Sequence, residues 1–141
     1  MKEYQKDFAG WAKVAAEIEA RERKQNVKPG VIYWANLGVN VGSGEDGKGP
    51  RFTRPVLLLA RVNTVRGLIV PVTSQKKVGM NYRELVVAGN VEYLMFDQLQ
   101  TIDIKCLEGV VDEINVESLR KVRGELLKVL KCYFYKITVP E

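Results

Sequence analysis

FTRPVLLLARVNTVRGLIVPVTS, residues Phe52 to Ser74, holds two apolar runs, Pro55–Ala60 and Leu68–Val72, separated by the polar break Arg61–Arg66. Short runs rich in Val, Ile and Leu read as buried strands, and the break between them reads as a hairpin turn. If that turn is centred between Asn63 and Thr64, Arg54 faces Thr73 across the ladder; a register shifted by one places Ser74 there instead. Directly opposed residues share a face of the sheet. In either register a guanidinium meets a hydroxyl at the open end of the hairpin, a candidate site for a phosphate.

Around this hairpin the chain has 141 residues, 46% of them hydrophobic and 28% charged. That is enough for one domain with a real core, so 1–141 is expected to be a single unit. The net charge of +5 and pI of about 9.2 favour an anionic partner only mildly. No apolar run approaches the roughly 20 residues that span a bilayer. The N-terminus mixes acids and bases and does not read as a signal peptide, so a cytoplasmic protein without a membrane partner is expected. Cys106 and Cys132 are far apart in the chain, outside any Cys-x-x-Cys motif, and read as reduced thiols. The chain has no histidine. Ser-His-Asp triads, Cys-His pairs and His-ligated metals are thereby excluded, and acid–base work falls to carboxylates, arginine, lysine, hydroxyls or water.

Met1–Asn26 reads as a helical extension, with Tyr4, Phe8, Trp11, Val14, Ala15 and Ile18 at spacings of three and four. It is either a lid or partner-binding arm, or an amphipathic helix packed on the domain. Asn26–Gly30 ends it, and Val31–Leu37 follows as a strand. Gly38–Pro50, GVNVGSGEDGKGP, reads as a mobile surface loop. Its Gly42 and Gly47-Lys48 have P-loop spacing, but Gly49 replaces the Ser or Thr and no helix follows, so an NTPase is rejected. Glu45 and Asp46 are weak as a cation site and fit a solvated loop tip. Tyr82–Val87 and Val91–Phe96 are strands joined by a turn at Ala88–Asn90. Thr101–Leu107 and Gly109–Asp112 are shorter candidates. Asn115 caps a helix expected to run to about Lys131 and to pack over a barrel end. Residues 132–141 form a tail. Many short strands and a closing helix give a mainly β chain, a small antiparallel barrel with an added helix at each end.

The order of these pieces is informative. Val31-Ile32-Tyr33-Trp34, the Glu45-Asp46-Gly47 loop, Thr53–Leu59, Val70-Pro71-Val72-Thr73-Ser74 and Asp97–Asp103 follow one another at spacings that resemble the MazF/PemK (Kid) family of toxins. Gly109–Leu130 resembles that family's closing strand and helix. The similarity spans roughly 28–131, and the Arg-Pro-Val and Val-Pro-x-Thr pair is its most specific part. The resemblance implies an SH3-like barrel, usually a homodimer, that cuts single-stranded RNA without metal or other cofactor. It also implies a cognate antitoxin whose tail covers the RNA groove. Matched by position, the family's key arginine falls on Arg54, its threonine on Thr73, its first-loop Glu on Glu45 and its strand-end Asp on Asp97.

These residue types suit attack by the substrate's own 2′-hydroxyl, where the enzyme supplies alignment and stabilises charge on phosphoryl oxygens. Arg54 is a planar donor fork for phosphate and a candidate acid toward the leaving oxygen. Thr73 donates a hydroxyl hydrogen bond. Glu45 or Asp97 takes the 2′ proton. Lys48, Arg51, Lys76 and Lys77 are candidate RNA-backbone contacts beside Ser74, and Gln98 is a candidate base reader. Some members carry a first-loop His, which here falls near Gly44, and some an Arg two residues before the strand-end Asp, where Met95 stands. Their acid–base pair therefore cannot be transferred whole. Two other readings stay open. One is a CcdB-like topoisomerase poison that uses the C-terminal helix and tail. The other is a barrel that binds RNA or protein without cleavage.

Overall fold

A computed structural model describes residues 4–135. Met1–Glu3 of the expected N-terminal helix and residues 136–141 of the expected tail lie outside the described residues. The chain runs α1 (Phe8–Glu19), β1 (Val31–Asn36), β2 (Thr53–Arg61), β3 (Arg66–Thr73), β4 (Tyr82–Val87), β5 (Asn90–Met95), β6 (Gln100–Asp103), β7 (Leu107–Glu113) and α2 (Val116–Tyr135). Single 3-10 turns, Phe96–Gln98 and Ile104–Cys106, flank β6. The order across the sheet is β4-β5-β3-β2-β1-β7, with β6 also paired to β3, and every pairing is antiparallel. The mainly β architecture with a helix at each end is as expected. The ring, however, is not closed by backbone bonds: β4 and β7 are its two ends. The Ala88 amide donates to Asp112 Oδ2 across the gap at 2.7 Å.

β2 and β3 are buried on both faces, which is why they read as continuous apolar runs. Alternation sorts them. Leu57 and Leu59 join Val70, Val72, Ile32 and Phe96 in a core covered by Leu119, Val122, Leu126 and Val129 of α2. Val56 and Leu58 join Ile69, Tyr33 and Ala35 in a second core, closed by Ile104 and Leu107. The pairs Val56↔Pro71, Leu57↔Val70 and Leu58↔Ile69 share one register; beyond them Leu59 is an extra residue, and Ala60 pairs with Leu68. Extending the first register by two residues puts Arg54 opposite Thr73. Both side chains therefore emerge at the end of the second core's face.

Three elements differ from expectation in their bounds. α1 starts at Phe8 because the Asp7 side chain accepts the Gly10 amide at 2.8 Å, an N-cap. It stops at Glu19, well before Asn26, where long-range ion pairs take over. Arg21 bonds Glu108 Oε1 at 3.3 Å and the Lys105 carbonyl at 3.0 Å, and Arg23 grips Asp103 in two bonds of 2.9 and 2.7 Å. The expected strand Thr101–Leu107 breaks at Asp103, whose carboxylate accepts the Lys105 amide and caps a 3-10 turn. α2 runs to Tyr135, beyond Lys131, because buried Cys132 continues the stripe of Leu119, Val122, Leu126 and Val129.

Candidate active site

Arg54 and Thr73 line one cleft of about 480 Å³ together with Tyr4, Lys48, Lys77 and Met95. The Thr73 side chain lies at its floor, with the residue only 5% exposed. Its Oγ1 accepts the Gln75 amide at 3.2 Å, which leaves the hydroxyl hydrogen as a donor. The Arg54 side chain is 10% exposed and Nη2 lies 2.6 Å from Glu45 Oε1. Its Nε donates to the Asp46 carbonyl at 2.9 Å. Arg54 thus makes the contacts open to a structural, buried arginine and also lines the cleft.

The glycine-rich composition of Gly38–Pro50 predicts a mobile segment, with Glu45 and Asp46 at a solvated tip. It is instead fastened at several points. The Gly47 amide donates to the Gly38 carbonyl at 2.8 Å, and an antiparallel bridge joins Lys48 to Thr53. Asn40 Nδ2 donates to the Glu45 carbonyl at 2.8 Å. A Cβ on Gly47 would stand 1.7 Å from the Phe52 carbonyl oxygen, so only glycine lets the loop close onto β2. Gln98 holds the other side: its Oε1 accepts the Glu45 amide at 3.1 Å and its Nε2 donates to the Ser43 carbonyl at 3.3 Å.

Asp46 is the hub of the loop. Its side chain is 12% exposed. The Asn40 amide donates to Oδ1 at 2.7 Å, the Tyr4 hydroxyl to Oδ2 at 2.8 Å, and Lys6 Nζ lies 3.3 Å away. Lys6 also donates to the carbonyls of Asn40 and Gly42. Burial pushes the Asp46 carboxyl up, but these hydrogen bonds and the lysine outweigh it and hold it below its ordinary value. The sign follows by linkage. The clamp's contribution is complete above the unfolded value of about 3.9 and fades as pH falls through the lower folded value. Asp46→Asn is expected to lower the unfolding temperature most near neutrality. Thermal melts should show that gap closing as pH falls below the ordinary carboxylate range; a gap constant with pH would mean that the charge is not its source.

A sequence profile for the PemK-like, MazF-like toxin of type II toxin–antitoxin systems matches residues 28–130. The chain belongs to the PemK/MazF toxin family. The match takes in β1 to β7 and most of α2, with Arg54, Thr73 and the Gly38–Pro50 loop inside it. MazF (Form-I) from Deinococcus radiodurans superposes with a TM-score of 0.60 at 24% identity, covering 74% of this chain and 96% of that one. Mycobacterium tuberculosis toxin MazF-mt6 gives 0.52 at 16%, covering 74% and 95%. A mycobacterial endoribonuclease in complex with its cognate antitoxin gives 0.54 at 15%, covering 81% and 99%. At these identities the likeness speaks for the fold. No curated protein matches the chain in sequence.

The other candidate residues of this PemK/MazF-family chain are spread around the cleft. Lys48 and Lys77 line it, and Lys77 Nζ stands 6.0 Å from the Tyr82 ring centre. Ser74 and Lys76 are exposed on the turn beyond β3. Asp97 is exposed on the neighbouring 3-10 turn, where Tyr82 donates to it at 3.4 Å. Arg51 is engaged elsewhere, at 2.9 Å from Glu17 and 3.2 Å from Glu108. Tyr4, Lys6 and the hub role of Asp46 have no local sequence signal, because they meet across 34 residues or more. Among the described residues no helix is long and apolar enough to cross a membrane.

Proposed function

We propose that this protein is an endoribonuclease toxin that cleaves single-stranded RNA by intramolecular attack. The observation that supports it is the convergence of Arg54 and Thr73 on one cleft, with Glu45 in contact with the guanidinium. The substrate's 2′-oxygen bonds to phosphorus and the P–O5′ bond breaks, leaving a 2′,3′-cyclic phosphate and a 5′-hydroxyl. The nucleophile belongs to the substrate, so no activated water enters the step. Arg54 and the Thr73 hydroxyl stabilise charge on the non-bridging oxygens. Glu45, the carboxylate in contact with Arg54, takes the 2′ proton, and Arg54 protonates the leaving oxygen; Asp97 is the alternative base from the neighbouring turn. Lys48, Lys77 and Lys76 contact the RNA backbone. In the cell a cognate antitoxin covers this cleft, and the active form is a homodimer; a mycobacterial endoribonuclease of this fold is found in complex with its cognate antitoxin.

The test is incubation of the purified protein with a long unstructured RNA in EDTA. Discrete fragments with cyclic phosphate ends are expected, and Thr73→Ala should slow their release about 10²-fold, the scale of losing one donor to a developing oxyanion. Intact RNA with a folded, antitoxin-free protein would sink the nuclease and leave a binding toxin.

A further inference from the structure

The N-terminal extension lies outside residues 28–130 matched by the family profile, yet it forms part of the cleft wall. α1 is a fixed arm. The chain just past its far end is held by the Arg21–Glu108 and Arg23–Asp103 pairs. Its first turn is seated by Trp11, whose ring lies 5.7 Å from that of Phe52 and over Gly38, where a Cβ would come within 2.1 Å of the indole. The segment before α1 is delivered by this arm to the mouth of the cleft.

There Tyr4 is 69% exposed, although its hydroxyl is tied to Asp46. A ring tethered at one end and bare on its faces has already given up much of its rotational freedom. The same cleft is lined by the cations Lys48, Lys77 and Arg54. An aromatic platform beside a cationic track is the arrangement that holds single-stranded nucleic acid, bases stacking while phosphates follow the charge. Lys6 serves differently: bonded to Asp46 and two loop carbonyls, it is a positioning residue for the platform and the loop.

We propose that Tyr4 is a substrate-binding residue, stacking on a base next to the scissile phosphate, with Lys6 and Asp46 setting its orientation. The inference rests on the nuclease reading for its substrate class.

It is tested by binding alone, with the full chain and two 2′-O-methyl oligoribonucleotides of equal length. One carries bases throughout; the other is abasic at every position. Neither has a free 2′-hydroxyl to attack. Tyr4→Ala should weaken binding of the base-bearing strand tenfold or more, within the range for losing a stacked aromatic, and that of the abasic strand less than twofold. Tyr4→Phe, which keeps the ring and loses the tether, should cost about threefold on the base-bearing strand. Equal losses on both strands would overturn the inference and reduce Tyr4 to a clamp on Asp46. Absence of any loss in Tyr4→Ala, or no binding of the base-bearing strand by the wild type, would overturn it as well. A wild type that binds with these ratios but leaves ordinary RNA uncut would sink the nuclease and keep Tyr4 as a stacking residue.

Discussion

Arg54→Ala is expected to slow RNA cleavage by a factor of about 10³ or more, the range reached when a preorganised charged donor to a transition state is lost. The guanidinium does two things at once. Nε fixes it to the Asp46 carbonyl and Nη2 to Glu45, so its orientation is set before substrate arrives. Arg54 lines the same cleft as Thr73. Arg54→Lys should recover little, because an ammonium has no fork that could hold Asp46 while meeting a phosphate. The truncation also leaves Glu45 without its partner. The cost should stay near 1–2 kcal/mol, below the 3–5 of a fully buried broken pair, since the cleft admits water. Single-turnover cleavage and thermal melts on the same samples separate the two effects. Activity within tenfold of wild type would make Arg54 a purely structural arginine, and the cleft would need another phosphate ligand.

Phe96→Ala is expected to have the largest effect on stability, about 3–5 kcal/mol out of the 5–15 typical of a domain. The side chain is 1% exposed and sits in the core under α2 with Leu94, Val72 and Leu126. On its other side the Arg83 guanidinium lies 5.6 Å from the ring centre. Phe96 also opens the 3-10 turn that carries Asp97 and Gln98, and its amide is bonded to the Asn81 carbonyl at 2.8 Å. A cavity here should therefore loosen the Gln98 brace on Glu45 as well as the core. Urea unfolding measures the first effect, and hydrogen exchange at the Glu45 amide the second. A loss under 1.5 kcal/mol would mean that neighbouring side chains collapse into the space.

The central hairpin was legible because its information is local. Residues 55–60 and 68–72 are apolar because β2 and β3 are buried on both faces, and counting inward from a short turn leaves Thr73 and Ser74 as the two residues that can face Arg54. The bulge at Leu59 decides between them: the turn end carries the shifted register, and the open end keeps the one that aligns Arg54 with Thr73. What the sequence did not disclose is held by side chains from distant segments. Arg51 reads as a cation free for RNA until β7 brings Glu108 to it. Asp46 reads as a solvated acid until Tyr4 and Lys6 reach it from the N-terminus. The end of α1 and the unclosed seam between β4 and β7 are likewise tertiary outcomes, against which propensity is a weak guide.

The bulge has a consequence for the family's freedom to vary. Arg54 is held from both flanks, by Ala35 of β1 on one side and by the buried β2–β3 pairs on the other, and Thr73 is likewise paired with Tyr93 of β5. None of these pairs involves the turn at residues 62–65. Leu59 already absorbs one unmatched residue between the turn and the cleft. Length changes at that tip can therefore accumulate over descent without moving the chemistry. The same tip is the place to splice in an affinity tag or a fluorophore while leaving the Arg54–Thr73 cleft intact.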